Sequence, residues 1–280
     1  MATPLNDFDR RDGYYMFGDA PQADLSKGEP MWHIAGSLVQ LGGKNIKIRH
    51  AMRLAEPSYH QAQDASFMVA GNGQVAFAII DGTTQSTPGV FARDSGRMAR
   101  DYASTGMFYA LDPHSYRCTP EKILEKMRQR DPSGDGSAFA SAITIQPATN
   151  GFLLRCASAG HHTDTGIIAW RDPSNTIREV VIGERQYNRS LKNIGADEFS
   201  VAPSGLFLPS GSQLLYLGDG MAYSMATHGG KKPVPEQSKF ASACLDFLGD
   251  GPFYDVLPKI GHSGTTVGLR DDLTGFMVTL

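Results

Sequence analysis

A chain of 280 residues with 41% apolar and 20% charged residues has the composition of a globular protein with one large domain, which excludes wholesale disorder. Its net charge of -3 provides no broad positive field, so the usual electrostatic basis of nucleic-acid binding is missing. Three widely separated cysteines exclude a disulfide framework, and no apolar run reaches the roughly 18 residues that a membrane-spanning helix needs.

The N-terminal part of the chain divides into an arm and the start of a folded domain. Residues 1–35 lack a hydrophobic period, and we expect an irregular arm there, followed by a single domain over residues 36–280. Strand patterns begin at Ser37. Residues 66–70 and 74–80 predict two strands joined by a tight turn, because Asn-Gly between apolar runs is a strong hairpin signal.

Two helices are predicted next. Residues 90–103 repeat apolar side chains at helical spacing, with arginines between them. Thr119 is a capping residue followed by Pro120, and proline is favoured at the first helical position. A second helix is therefore expected from Pro120 through Met127.

The second half of the chain returns to strands. Short β-rich segments punctuated by Gly, Asn and Pro are found at residues 139–145, 151–157, 166–170, 177–182, 213–217 and 275–280. Residues 237–248 and 253–257 have helical patterns. Strand pairs separated by pairs of helices favour an α+β protein with antiparallel sheets over a βαβ alternation.

Aspartates recur at the ends of these predicted strands. Asp81, Asp219 and Asp271 each lie beside a turn at a strand end or edge, and Asp64 precedes the first strand of the predicted hairpin. Any one Asp-Gly pair is explained by turn formation alone. As a set, however, carboxylates brought to one rim would repel each other unless a cation neutralised them. Mg²⁺ or Mn²⁺ would suit such oxygen ligands, and Gly82 would let a backbone carbonyl approach the ion.

Five segments resemble, in order, the metal-dependent protein phosphatases of the PPM, or type 2C, family. The similarity covers about residues 55–280 and is closest to the compact branch of mitochondrial-type and bacterial regulatory members. The segments are Gln63-Asp64-Ala65-Ser66-Phe67-Met68-Val69, Ala78-Ile79-Ile80-Asp81-Gly82, Gly136-Ser137-Ala138-Phe139-Ala140, Leu215-Tyr216-Leu217-Gly218-Asp219-Gly220 and Asp271-Asp272-Leu273-Thr274.

This resemblance implies a four-layer αββα sandwich, with two central antiparallel sheets flanked by helices and metals in a cleft at one end. It also implies two ions, Mg²⁺ or Mn²⁺. Asp81 would bridge both ions and the Gly82 carbonyl would bind one. Asp219 and Asp271 would complete the shell of the other ion, with Asp64 close by. Asp81 and Asp219 are the residues to which the resemblance assigns catalysis.

Some positions depart from the family pattern. Gln63 stands where an acidic residue is usual, and Thr83-Thr84-Gln85 replaces a glycine pair. A neutral ligand at position 63 would weaken one ion. His60 and Arg53 are candidates for holding the substrate phosphate.

Two functions remain open on the sequence alone. The first is metal-dependent hydrolysis of phosphoserine or phosphothreonine esters in proteins by a metal-activated water. The alternative is a catalytically weakened phosphatase fold that acts as a binding or regulatory module. We expect a phosphorylated protein as the partner, no nucleic acid or membrane, and a monomer. The cysteine usage favours a reducing compartment, and we expect the cytoplasm, with an organelle left open.

Overall fold

The structure is a computed structural model, and it describes eleven segments of the chain. These are residues 14–17, 32–53, 64–82, 92–112, 118–130, 137–159, 167–181, 200–201, 205–218, 220–221 and 272–280. The helices predicted at 237–248 and 253–257 lie outside these segments.

Within these segments the chain forms thirteen strands and two helices. The first seven elements are β1 (Tyr14–Phe17), β2 (Trp32–Leu41), β3 (Lys44–Arg53), β4 (Ala65–Gly71), β5 (Gln74–Gly82), α1 (Ala92–Leu111) and α2 (Pro120–Gln129). The remaining elements are β6 (Ala138–Ala148), β7 (Gly151–Ala159), β8 (Ile167–Arg171), β9 (Ile177–Val181), β10 (Ser200–Val201), β11 (Leu206–Pro209), β12 (Gln213–Leu217) and β13 (Leu273–Thr279).

The strands form two antiparallel sheets. The first sheet has the order β1-β4-β5-β6-β7-β10, and β11 also pairs with β7. The second sheet has the order β2-β3-β13-β12-β8-β9. The C-terminal strand β13 is therefore central in the second sheet, between one strand from the start of the chain and one from its second half.

Two layers of apolar side chains hold these elements together. The core between the sheets includes Phe77, Phe152 and Phe276, all fully buried. On its other face, the first sheet packs against α1 and α2 through residues such as Tyr102 and Leu124. This arrangement confirms the predicted α+β sandwich with two central antiparallel sheets. In the described segments, the flanking helices are α1 and α2, which lie outside the first sheet.

Local sequence signals account for several boundaries. Asn72 and Gly73 have φ values of 51° and 72°, the left-handed pair that a two-residue hairpin turn between β4 and β5 requires. The Thr119 hydroxyl accepts a hydrogen bond from the Lys122 backbone N–H at 3.4 Å, as expected of an N-cap. The predicted hairpin and the predicted start of α2 are both confirmed.

The prediction of an irregular arm over residues 1–35 is wrong at two places. Residues 14–17 form β1, which pairs with β4 at the edge of the first sheet, and β2 begins at Trp32, before the expected boundary at residue 36. A strand of four residues is too short to display a clear alternation, and the hydrogen bonds offered by β4 stabilise it instead.

None of the helices in the described segments is long and apolar enough to cross a membrane.

Candidate metal centre at the rim of the two sheets

Asp64, just before β4, and Asp81, near the end of β5, lie opposite each other on two paired strands. Strands β4 and β5 are antiparallel, with Ala65 opposite Ile80, and one further step in this register puts Asp64 opposite Asp81. Directly opposed residues of such a pair have Cβ atoms about 4.5–5.5 Å apart. Asp64 is buried and Asp81 is partly exposed. Two of the predicted ligand positions therefore meet at one end of the first sheet.

Both aspartates are on the side of the first sheet that faces the second. Residues two apart on a strand share a face. Asp81 is two residues beyond Ile79, whose side chain lies in the core between the sheets. Asp64 is two residues before Ser66, whose hydroxyl is 3.0 Å from Nε2 of His50 in the second sheet. The two carboxylates are therefore on the face of the first sheet that packs against the second sheet.

The second sheet contacts Asp64 directly. The Asp64 backbone N–H donates to Oδ2 of Asp272 at 2.9 Å, and the Thr274 hydroxyl donates to Oδ2 of Asp64 at 3.2 Å. All three residues are buried, with Asp64 and Asp272 each 3% exposed. The start of β13 and the start of β4 are therefore joined at the same rim.

The end of β12 reaches this rim as well. The Gly218 backbone N–H donates to the carbonyl of Thr274 at 2.8 Å. A Cβ on Gly218 would lie 3.4 Å from that carbonyl oxygen and 3.6 Å from Cγ2 of Ile79 in the first sheet. Gly218, which precedes Asp219, therefore lies between the Thr274 carbonyl and the Ile79 side chain, close to the ends of β5 and β13.

The structure describes three of the five predicted metal ligands. Asp64 and Asp81 are placed as above, and Gly82 is buried opposite Ala138 of β6. Asp219 and Asp271 lie outside the described segments. Their roles stay predictions.

Other positions singled out in the sequence are only partly described. Gln63, His60 and Thr83-Thr84-Gln85 lie outside the described segments. Arg53 is the last residue of β3, and its backbone is opposite Leu273 at the start of β13. This backbone position is near the same rim, which keeps Arg53 as a candidate for binding phosphate.

Asp272 lies at the rim but is not among the ligands predicted from the sequence. The resemblance matches its neighbour Asp271 to a metal ligand. Asp272 and Thr274 are two residues apart and share one face, but the contact of both with Asp64 depends on the register of β13 and not on a local pattern.

The donor set fits a hard divalent cation. Buried carboxylates that lie close together repel each other when ionised, and a cation between them relieves this repulsion. Oxygen donors from aspartate and backbone carbonyl groups are those that Mg²⁺ and Mn²⁺ prefer. Among the residues that the structure describes, no group of three or more His, Cys, Asp or Glu side chains is arranged to hold a metal ion. Asp219 and Asp271, outside the described segments, stay the predicted further ligands.

Comparison with known proteins identifies the fold. No protein-family model and no curated protein sequence matches this chain. Among solved structures, the SiaA-PP2C domain of Pseudomonas aeruginosa has a TM-score of 0.55 at 13% identity, covering 82% of this chain and 85% of that one. The S. agalactiae serine/threonine phosphatase has a TM-score of 0.54 at 11% identity, covering 89% of this chain and 99% of that one.

A third solved structure extends the likeness over nearly the whole sequence. The PP2C phosphatase domain and regulatory fragment of SpoIIE from Bacillus subtilis has a TM-score of 0.53 at 11% identity, covering 97% of this chain and 80% of that one. At such identities the likeness concerns the fold. The chain has the fold of the PP2C phosphatases, as its motifs imply, and its branch within that group stays a prediction.

Proposed function

We propose that this protein hydrolyses phosphoserine or phosphothreonine esters in proteins, using two divalent ions held at the rim of its sheets. The proposal rests mainly on the contact of Asp64 with Asp272 and Thr274 beside Asp81, which brings acidic residues from distant parts of the chain to one rim. The PP2C fold and the order of the aspartate motifs support the same assignment.

The proposed centre uses residues from four strand ends. Asp81 would contact both Mg²⁺ or Mn²⁺ ions, and the Gly82 carbonyl would bind one of them. Asp219 and Asp271 would bind the other ion, with Asp64 adjacent. When bound, the ions would activate water and neutralise the charge on the phosphoryl oxygens.

The surrounding residues would hold these ligands in place. Thr274 donates to the Asp64 carboxylate and so fixes the direction of its oxygens. The Asp272 carboxylate accepts a hydrogen bond from the Asp64 backbone N–H, and this bond fixes the start of β4. Such outer contacts orient metal ligands, and their removal typically lowers metal affinity or activity by about 10–100-fold.

The substrate class is inferred from the fold neighbours. The S. agalactiae neighbour is a serine/threonine phosphatase, and the Bacillus subtilis neighbour contains a PP2C phosphatase domain. A phosphorylated serine or threonine in a protein is therefore the substrate that we assign to this chain.

The test is phosphate release from a phosphothreonine peptide by the purified chain, with and without Mn²⁺ or Mg²⁺. We expect release only with the metal. Asp81→Asn and Asp219→Asn should each abolish it, because each removes an anionic ligand. Asp112→Asn is the matched control, since Asp112 is exposed at the end of α1, away from the rim. Turnover without metal, or full activity in both rim variants, would reject the proposal.

The alternative is a binding or regulatory module with weakened catalysis. The neutral Gln63 beside Asp64 is the observation that favours it. A chain that binds Mn²⁺ and the phosphopeptide but releases no phosphate would support this alternative. In that case Gln63→Glu should raise the affinity for Mn²⁺ by adding an anionic ligand, and an unchanged titration curve would remove position 63 from the site.

A further inference from the structure

A row of three side chains crosses the second sheet and faces the first. His50, Phe276 and Tyr216 are directly opposed on β3, β13 and β12. The Phe276 ring centroid is 4.6 Å from that of His50 and 6.0 Å from that of Tyr216. All three side chains are buried. The row is therefore part of the core between the sheets, with a polar group at each end.

A second row crosses the facing sheet. Ser66, Ile79 and Ser141 are directly opposed on β4, β5 and β6. His50 Nε2 is 3.0 Å from Ser66 Oγ, and Tyr216 Oη is 2.6 Å from Ser141 Oγ. Two polar contacts therefore join the rows across the core between the sheets.

The Tyr216 hydroxyl also lies between two backbone groups of the first sheet. It accepts a hydrogen bond from the Ile79 N–H at 3.1 Å and donates one to the Ser141 carbonyl at 2.9 Å. Ile79 and Ser141 are opposed residues, so the hydroxyl bridges β5 and β6 where their backbones pair. Burial raises the pKa of Tyr216 above its ordinary value, so the hydroxyl keeps its proton. A buried hydroxyl with this many partners is held in one position.

Along β5, this bridge lies two residues away from the acidic rim. Ile79 precedes Asp81 by two residues on β5, a rise of roughly 6.7 Å along a strand. Tyr216 precedes Asp219 by three residues, at the end of β12. Any sliding of β12 relative to β5 would therefore move the backbone leading to Asp219 relative to Asp81.

We propose that Tyr216 is a positioning residue for the metal centre: its hydroxyl fixes the position of β12 along β5, and thereby the position of Gly218, the residue before Asp219, relative to Asp81. The inference rests on the proposed function, because it assumes that these aspartates bind a common pair of ions. In this role Tyr216 acts through the backbones of Ile79 and Ser141, the groups to which its hydroxyl is hydrogen-bonded. Metal ligands must be held within about 0.5 Å of their working geometry, which a cross-sheet hydrogen bond can provide.

The test compares two tyrosine variants of the full chain. Tyr216→Phe removes the hydroxyl and keeps the ring beside Phe276. Tyr102→Phe is the matched control, because it removes a hydroxyl from a side chain that is equally buried, in the core between α1 and the first sheet. Calorimetric titration gives the Mn²⁺ affinity of each protein, and urea unfolding without metal gives each stability.

We expect Tyr216→Phe to weaken Mn²⁺ binding by about tenfold or more, the lower end of the range for residues that orient metal ligands. Tyr102→Phe should leave the Mn²⁺ affinity unchanged even if it lowers stability as much. Ser141→Ala, which keeps the carbonyl acceptor, should weaken binding less than Tyr216→Phe. It also serves as the test variant if Tyr216→Phe does not fold, and an unchanged affinity would then overturn the inference.

Two results would overturn the positioning role while leaving the proposed function intact. One is wild-type Mn²⁺ affinity in Tyr216→Phe. The other is an equal loss in Tyr216→Phe and Tyr102→Phe, which would mean that the effect is general destabilisation. A wild-type chain that binds neither Mn²⁺ nor Mg²⁺ would instead overturn the proposed function, and this inference with it.

Discussion

The backbone N–H of Asp64 donates a hydrogen bond of 2.9 Å to the carboxylate of Asp272, although 208 positions separate the two residues. Asp64 immediately precedes β4 of the first sheet, and Asp272 immediately precedes β13 of the second. The contact therefore joins the two sheets at the rim. Hydrogen bonds to an ionised carboxylate are stronger than those between neutral groups, so this contact gives Asp272 a definite structural role.

The first prediction concerns the Asp272 acceptor. Asp272→Ala leaves the buried Asp64 N–H without this acceptor and should lower the free energy of unfolding by about 1.5–3 kcal/mol. Asp272→Asn removes the same charge from beside Asp64 but keeps an oxygen acceptor for this N–H. Its metal-free stability should therefore be closer to that of the wild type than the stability of Asp272→Ala is. Urea unfolding followed by circular dichroism, without metal, measures both values.

The same pair of variants separates positioning from metal binding. If Asp272 only positions Asp64, Asp272→Asn should retain most of the wild-type Mn²⁺ affinity, whereas Asp272→Ala should lose it. A large loss of affinity in Asp272→Asn at wild-type stability would instead mean that the Asp272 charge itself binds metal. Equal stabilities of Asp272→Ala and the wild type would contradict the role assigned to this hydrogen bond.

The second prediction concerns stabilisation by metal. An ion that binds only the folded chain stabilises it by about 2.7 kcal/mol when its concentration is one hundred times Kd. For a chain of this size, that corresponds to a rise in Tm of roughly 5 °C. Asp81→Asn should abolish most of the Mn²⁺-induced rise, and Asp112→Asn should keep it. Differential scanning calorimetry with and without Mn²⁺ measures the shift, and a full rise in Asp81→Asn would contradict the proposed role of Asp81.

The parts of the fold that the sequence predicts well are those set by local chemistry. The hairpin turn follows from Asn72 and Gly73, which readily adopt positive φ, and the start of α2 follows from the Thr119 cap. The likeness of the fold to PP2C phosphatases also follows from motif order. By contrast, β1 is too short to show a period, and it forms because β4 offers an open edge.

The parts of the site that the sequence does not predict depend on pairing between distant strands. The pattern Asp271-Asp272 alone does not say which carboxylate meets Asp64. That is decided by the register of β13 against its neighbours, in which Leu273 is opposite Arg53. Tyr216 looks like an ordinary strand residue in the sequence. Its role depends on the facing sheet, since its partners are at positions 79 and 141.

The third prediction concerns stability at alkaline pH. Burial, opposed in part by a hydrogen bond with Gln74 and by the Lys122 charge, raises the pKa of Cys118 from 9.0 to about 12. Above pH 9 the unfolded chain releases this proton while the folded chain keeps it. The contribution of the protonated Cys118 thiol to the free energy of unfolding is therefore fully present below pH 9. It falls as pH rises toward 12, by up to about 1.4 kcal/mol per pH unit.

Urea unfolding at half-unit steps from pH 8 to pH 10 tests this effect. Burial also raises the pKa of Tyr216, but the loss of stability that this causes begins only near the ordinary tyrosine value of 10.0, where the unfolded chain starts to release the proton. The wild-type free energy of unfolding should decline above pH 9, and the decline should be smaller in Cys118→Ala. Identical slopes in the two proteins would mean that another group causes the alkaline loss.

The last prediction concerns the turn between β4 and β5. Gly73 has a φ of 72° with nothing within 4 Å of a Cβ built on it, so the cost of Gly73→Ala is conformational and not steric. A left-handed alanine costs about 1–2 kcal/mol. Gly71→Ala is the matched control, because Gly71 also faces open space and its φ is not positive. Gly73→Ala should therefore lower the urea midpoint while Gly71→Ala changes stability by less than about 0.5 kcal/mol. Since this turn is at the opposite end of β5 from Asp81, neither variant should change the Mn²⁺ affinity. A loss of affinity in Gly73→Ala would mean that the register of the hairpin affects the position of Asp81 at the rim.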